Sequence, residues 1–197
     1  MLDDQGSGEP GDAPASEQEP SASPEAALQD LGAPVVETSL LPVSTRELWF
    51  FAYDDLLSQP VVSRYTRGMH AGKIVSLTNY KLVWPYSHVP RQTSLPSLER
   101  TNNAEDVVWG WLYDARGVDF SALDRQRRIP NRYHHSKVRV QDRGGRRFPA
   151  FTYVLTLQDE TPGKPSKDYR DQLVASAAER KLPEEWLEQL RKIETMD

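Results

Sequence analysis

Carboxylates supply most of the acid–base chemistry that this sequence offers. Asp54 and Asp55 directly follow an aromatic, apolar run, and Glu105 stands just before another apolar run. An ordinary aspartate has a pKa of about 3.9, so it is a weak general base near neutral pH unless its surroundings raise that pKa. The residue pattern identifies no partner that would do so for any of the three.

Histidine and arginine clusters offer metal binding and anion binding. His134 and His135 are adjacent on a predicted strand, so they point to opposite faces and cannot bind one metal ion together. The sequence contains no cysteine, which removes thiolate nucleophiles and zinc-finger ligand sets. We therefore expect neither a metal nor a cofactor. Arg143, Arg146 and Arg147 are expected to form a solvated turn, with phosphate or nucleic-acid contact as the alternative.

Charge is unevenly distributed along the 197 residues. Residues 1–45 contain nine Asp and Glu and six prolines, but no Lys, Arg or aromatic residue. The remaining residues, 46–197, hold 24 Lys and Arg against 20 Asp and Glu, which is a formal charge of +4. Because the first segment cannot bury enough apolar area to offset its ordering entropy, we predict a disordered acidic tail over 1–45 and one domain over 46–197.

The composition also limits where the protein is expected in the cell and which kinds of partner it is expected to bind. No apolar run reaches the roughly 18 residues of a membrane-spanning helix, and the basic and apolar start of a secretory signal is missing. We expect a cytoplasmic protein with no membrane partner, present as a monomer or a weak dimer. The small positive charge of the domain gives little support to a nucleic-acid partner.

The apolar pattern predicts an α+β fold. Aromatic and β-branched runs predict strands, and turn residues around Gly144 make the last two a hairpin. Helical spacing places Trp186 and Leu190 on the outside of the sheet. The predicted class is a small mixed β-barrel of five to six strands with helices packed outside. Strands are predicted over 48–53, 74–84, 107–113, 133–140 and 148–157, a long polar loop over 85–104, and helices over 120–126, 167–180 and from Pro183 onward.

Six short motifs occur in an order that carries a resemblance. They lie at 51–57 (Phe-Ala-Tyr-Asp-Asp-Leu-Leu), 79–84, 108–110 (Val-Trp-Gly), 123–127 (Leu-Asp-Arg-Gln-Arg), 165–169 (Pro-Ser-Lys-Asp-Tyr) and 182–186 (Leu-Pro-Glu-Glu-Trp). In this order they are similar to the gamma-glutamylcyclotransferase-like family, which includes the AIG2-like proteins. The resemblance covers residues 48–194.

The resemblance implies a small closed barrel with a pocket at its mouth. In this family the free α-amine of a γ-glutamyl compound attacks its own γ-amide carbonyl, which gives 5-oxoproline and releases the amine. That reaction needs a glutamate as general base and backbone N–H donors from a glycine-containing loop. When the family's motifs are matched to this sequence, the resemblance implies these substrate-binding positions: Tyr53, Asp54, Asp55, Leu56, Ser87, Arg127 and Tyr133.

Two of these positions depart from the family pattern. Arg127 stands where the family has its glutamate, and a guanidinium cannot act as a base near neutral pH. Asp54 and Asp55 replace the Gly-Ser-Asn of the loop with one residue fewer, so the pocket looks charge-reversed. If both segments face one pocket, Arg127 is expected to pair with Asp54 or Asp55 and could do so in bidentate geometry. The alternative is that the groups point into solvent independently.

Asp124, near Arg127, is expected to form hydrogen bonds at a helix end.

Three functions remain open on sequence grounds. The first is an active cyclotransferase, of acyltransferase or lyase type, whose base has moved to Asp54, Asp55 or Glu105. The second is a non-catalytic module on the same fold that binds a small γ-glutamyl, amine-bearing or zwitterionic ligand, or a partner peptide. The third is another reaction or a structural role. Because both departures remove groups that the reaction needs, the catalytic residue stays unassigned.

The composition of the first segment leads to a prediction about stability. Deleting residues 1–43 should change the melting temperature of the chain by at most about 2 °C, because that segment lacks the residues that build a core. Thermal unfolding of the full chain and the truncated chain measures the difference. A fall of many degrees would show that the segment docks on the domain.

Overall fold

The computed structural model describes residues 48–88, 92–156, 159 and 163–196. The disordered tail expected over 1–45 lies outside the described residues. These residues form seven strands: β1 (Trp49–Ala52), β2 (Gly72–Thr78), β3 (Tyr80–His88), β4 (Thr93–Arg100), β5 (Val107–Asp114), β6 (Tyr133–Asp142) and β7 (Arg147–Leu155). The helices are α1 (Gln59–Ser63), α2 (Ser121–Arg127), α3 (Lys167–Glu179) and α4 (Glu184–Arg191), and a 3₁₀ turn covers Asp55–Leu57.

Five of the strands form a closed barrel in the order β1, β5, β2, β6, β7. β1 pairs antiparallel with β5 and parallel with β7 at a single position, Phe50 opposite Phe151, so the sheet closes on itself. The predicted hairpin is present as β6 and β7, with Val140 opposite Phe148. The α+β barrel class is therefore confirmed.

Strands β3 and β4 form a separate two-stranded sheet and correct two sequence predictions. The segment 74–84 is not one strand, because Asn79 has φ +63° between β2 and β3, a conformation that asparagine tolerates better than most residues. The supposed loop over 85–104 contains the end of β3 and all of β4, and the hydroxyl side chains of β4 are buried with partners. Ser97 Oγ accepts from Leu155 N (3.1 Å) and Thr93 Oγ1 accepts from Ser166 N (3.0 Å). The polar composition was therefore a poor guide to burial here.

Side-chain caps and apolar faces explain where the helices lie. The Asp119 carboxylate accepts from Ser121 N (2.8 Å) just before α2, and Ser166 Oγ accepts from Tyr169 N (3.2 Å) to cap α3. On α4, Trp186 is only 5% exposed and packs into the core with Leu190, which confirms the prediction for this helix. Within the described residues, no helix is long and apolar enough to cross a membrane.

The approach of β1 to β5 requires a glycine. A Cβ on Gly110 would lie 2.3 Å from the Ala52 carbonyl oxygen and 2.6 Å from the Phe51 ring. Both neighbours belong to the short strand that leads into the Asp54 turn. The close contact of these strands therefore also sets the position of that turn.

Replacing this glycine should destabilise the fold. We expect Gly110→Ala to lower the free energy of unfolding by about 1–3 kcal/mol, because backbone must shift to admit the methyl group. Urea denaturation measures the loss. The matched control is Gly144→Ala, whose Cβ would sit at an ordinary 3.4 Å from the Asp142 carboxylate. Equal stability of the two variants would contradict the close approach.

Candidate functional site

Asp54 and Asp55 are placed by the end of β1 and the 3₁₀ turn that follows it. The Asp54 carboxylate caps that turn, since its Oδ1 accepts from Leu56 N at 3.1 Å. Arg127 reaches the same point from the last residue of α2. A strand end and a helix end thus bring together groups that lie more than 70 residues apart in the chain.

The predicted ion pair is present and joins three residues. Arg127 Nη2 lies 2.9 Å from Asp54 Oδ2 and 2.6 Å from Asp55 Oδ1. The pair is not bidentate, because both carboxylates contact the same guanidinium nitrogen. The Arg127 and Asp54 side chains are 4% and 2% exposed, whereas the Asp55 side chain is 25% exposed. Solvent therefore reaches the cluster through Asp55.

Tyrosines surround this Arg127–Asp54–Asp55 cluster. Arg127 Nη1 donates to the Tyr133 hydroxyl oxygen (3.3 Å), and the guanidinium carbon lies 5.0 Å from the centre of the Tyr133 ring. The Tyr53 hydroxyl turns away and donates to the Tyr153 carbonyl oxygen (2.7 Å). Arg127 Nε and Asp54 Oδ2 have no well-aligned hydrogen bond among the described residues. The cluster is thus held mainly by charge in an apolar setting.

This setting shifts the proton affinities of the cluster. Burial raises the pKa of Asp54 to about 7; Arg127 opposes that rise and the neighbouring Asp55 carboxylate adds to it. Burial lowers the pKa of Arg127, but Asp54 and Asp55 raise it more, so its pKa lies well above the ordinary value. One guanidinium balances the charge of two carboxylates. Asp54 therefore gains or loses a proton near neutral pH, while Arg127 stays protonated.

A cavity of about 190 Å³ opens beside Asp55. It lies between the 3₁₀ turn, α1 and α3, and its lining combines one carboxylate with hydroxyl, amide and apolar groups. The lining residues are Asp55, Ser58, Val61, Tyr169, Gln172, Leu173, Ala175 and Ser176. Asp55 is the one charged residue in this lining.

Arg180 holds the wall of this cavity in place. Its Nε donates to the Leu57 carbonyl oxygen (2.8 Å), and its Nη2 donates to Gln59 Oε1 (2.8 Å) and to the Tyr113 hydroxyl (2.6 Å). The Tyr113 hydroxyl in turn donates to the Leu56 carbonyl oxygen (3.1 Å). These bonds tie the turn after β1 to the end of α3.

The other sequence-predicted positions fall in different places. Leu56 is buried next to the cluster. Ser87 lies on β3, where its Oγ is 3.5 Å from Ser94 Oγ and its N–H donates to Asp159 (2.6 Å); none of its described contacts reaches the cluster. Glu105 lines a separate cavity near Trp186.

Asp124 does not form the expected helix-end hydrogen bonds. Its Oδ1 instead accepts from the Tyr153 hydroxyl (2.6 Å) and lies 3.0 Å from His135 Nε2. His134 lies 3.1 Å from Thr156 Oγ1, so the two histidines have separate partners. The helix-end interpretation failed because β6 and β7 pack against α2 and offer Asp124 better partners than the helix backbone does.

Tyr169 and Tyr153 are the site residues that sequence analysis missed. Burial and the charges of Asp55 and Asp54 raise the pKa of Tyr169, and the Tyr153 ring centre lies 5.8 Å from the Arg127 guanidinium carbon. Tyr169 ends the Pro-Ser-x-x-Tyr motif, so a signal for it was present. Nothing in the β7 sequence distinguishes Tyr153 from a core aromatic residue.

The raised pKa of Asp54 gives a prediction for stability against pH. Between the ordinary value of 3.8 and about 7, the folded chain binds more protons than the unfolded chain, so this group lowers the free energy of unfolding as pH rises. Asp54→Asn removes that contribution. We expect the variant to gain about 1.4 kcal/mol or more relative to the wild type between pH 4.5 and 7.5.

Urea denaturation at both pH values measures the difference between the two proteins. Asp171→Asn is the control, because Asp171 is half-exposed and pairs with the adjacent Arg170. This control should follow the wild-type pH dependence. An Asp54→Asn variant that also follows it would show that Asp54 is ionised across the whole range.

Known proteins resemble this chain in part of its sequence. The model of the AIG2-like family matches residues 107–190. The gamma-glutamylcyclotransferase of Mus musculus is 30% identical over 90 residues, which are 45% of this chain and 47% of the mouse protein. The match therefore spans about half the length of that relative.

Solved structures extend the likeness to about three quarters of the chain. A gamma-glutamyl cyclotransferase superposes with a TM-score of 0.67 at 21% identity, covering 77% of this chain and 90% of that one. YkqA from Bacillus subtilis gives a TM-score of 0.59 at 18% identity, covering 76% and 56%. At these identities the likeness concerns the fold. The chain thus shares the fold of gamma-glutamyl cyclotransferase, and its residues 107–190 match the AIG2-like family.

Proposed function

We propose that this chain is a non-catalytic member of the gamma-glutamylcyclotransferase-like family and that it binds a small amine-bearing ligand beside Asp55. The observation that carries the proposal is the buried contact of Arg127 Nη2 with both Asp54 and Asp55. In the sequence motif, Arg127 stands where the family has its glutamate. The positive charge of Arg127 is balanced by the carboxylates of Asp54 and Asp55. A buried arginine with a raised pKa cannot take a proton from an attacking amine.

The turn after β1 also leaves none of three successive backbone N–H groups free to stabilise an oxyanion. Leu56 N donates to Asp54 Oδ1 (3.1 Å), Leu57 N to the Asp54 carbonyl (2.9 Å) and Ser58 N to the Asp55 carbonyl (3.1 Å). Stabilising a tetrahedral intermediate requires N–H groups directed at the developing charge. Three successive N–H groups are instead used within the turn, which supports binding over catalysis.

The cavity beside Asp55 suits an ammonium group. Asp55 supplies the charge there, and only its Oδ1 is in contact with Arg127. The hydroxyls of Ser58 and Ser176 and the amide of Gln172 can bond a polar ligand, while other lining residues are apolar. A γ-glutamyl amine or another small zwitterion carries the matching groups.

Cyclotransferase activity with Asp54 as base is the second candidate. It is favoured by the pKa of Asp54, raised to about 7, which is suited to a general base. Against it, Asp54 is buried and both of its oxygens already face protein groups. The two candidates differ in which aspartate is essential.

A panel of γ-glutamyl amines tests both candidates. Isothermal titration calorimetry measures binding, and quantified 5-oxoproline measures turnover by the same protein. We expect binding without 5-oxoproline, and we expect Asp55→Asn to weaken binding about tenfold or more, because the ammonium loses its counter-charge. Glu188→Gln is the control, since this exposed residue of α4 lies outside the cavity.

The outcomes separate the candidates clearly. Turnover by the wild type that Asp54→Asn abolishes would replace the proposal with the cyclotransferase. Equal affinity of the wild type and Asp55→Asn for every compound of the panel would contradict the proposal, and so would the absence of any binding. Either result would show that the cavity beside Asp55 does not take an amine-bearing ligand.

A further inference from the structure

A further polar cavity, of about 380 Å³, lies between β2 and β6. Four cationic side chains line it: Arg100, Lys137, Arg139 and Arg147. We call it the basic groove. It shares no lining residue with the cavity beside Asp55, and the proposed function does not use it.

Strand pairing explains why this groove is open. β2 pairs with β6 only at Val75 with Asp142 and at Ser76 with Gln141. Beyond Ser76 the two strands separate, and in the part of the chain that the structure describes no further strand pairs with this edge of β6. The gap leaves a hollow between the end of β2 and the middle of β6.

Alternation along β6 places its cations in that hollow. Lys137, Arg139 and Gln141 are two residues apart, so their side chains lie on the same face of the strand. Arg147 lies directly opposite Gln141 on β7 and shares that face. Arg100 joins them from the end of β4, where it pairs with Tyr80.

The four cations are not neutralised by the protein. Across residues 48–88, 92–156, 159 and 163–196, none of them forms an ion pair, and no carboxylate lines the groove. Asp142, next to Gln141, instead lies 3.9 Å from Lys73. Like charges gathered in one hollow repel each other, and a bound anion relieves that repulsion.

The lining narrows the class of anion. Three arginines provide planar forks that match phosphate oxygens, and Asn79 and Gln141 add neutral donors. The half-buried Tyr80 ring at one end can contact the rest of a small molecule. We propose that the basic groove binds a small molecule bearing a diphosphate group, since four cations match two linked phosphates better than one.

Calorimetric titration of the full chain with sodium pyrophosphate tests this assignment. We expect pyrophosphate to bind more tightly than orthophosphate or sulfate, and to bind more weakly when the salt concentration is raised, because the contacts are ionic. The double variant Arg139→Gln/Arg147→Gln should lose about tenfold or more in affinity. Both side chains are exposed, so the fold should be retained, which a thermal unfolding curve verifies.

A charge-matched variant separates this site from general attraction. Arg64→Gln/Arg67→Gln removes two exposed cations that do not line the groove and should leave pyrophosphate affinity within about twofold. Equal losses in both double variants, or equal affinity for pyrophosphate and sulfate, would overturn the proposal. Binding of a 12-nucleotide oligouridine without binding of pyrophosphate would also overturn it and would indicate a nucleic-acid surface instead.

Discussion

The contact of Arg127 with Asp54 and Asp55 is the constraint on which the rest of the site depends. Removing a guanidinium from water is costly unless carboxylates compensate it, so Arg127 at the end of α2 is stable only where the turn after β1 supplies them. The contact therefore joins a helix end to a strand end. The tyrosines packed around Arg127 shield it and Asp54 from water, so that the charges of the cluster act strongly on one another.

The same local structure decides what the neighbouring cavity can do. Asp54 reaches Arg127 because its carboxylate caps the 3₁₀ turn, and that turn uses successive backbone N–H groups internally. A loop that held an anionic substrate would have to leave those groups free. With them occupied and Asp55 partly exposed, the cavity presents a carboxylate and not free N–H donors, which is the basis of the proposed amine binding.

The two proposed sites are opposite in charge and lie on different elements. The cavity beside Asp55 lies against α3 and takes its charge from an aspartate that Arg127 only half neutralises. The basic groove lies where β2 and β6 separate after two paired positions, and no carboxylate lines it. Residues 46–197 therefore carry only a small net charge, although the cavity beside Asp55 is lined by a carboxylate and the basic groove by four cations.

Short-range patterns in the sequence by themselves predicted strands β1, β5, β6 and β7, helix α3 and the burial of Trp186, and the resemblance predicted that Arg127 pairs with an aspartate. Such features follow from neighbouring residues, whose spacing and propensity are visible in the chain. Only the tertiary structure decided that Asn79 ends β2, that the polar segment around Ser97 is a buried strand, and that Asp124 bonds to Tyr153. It also decided that two aspartates share one nitrogen of Arg127 and that burial raises the pKa of Asp54. These properties depend on which distant segments exclude water from one another, and the order of residues along the chain does not record that.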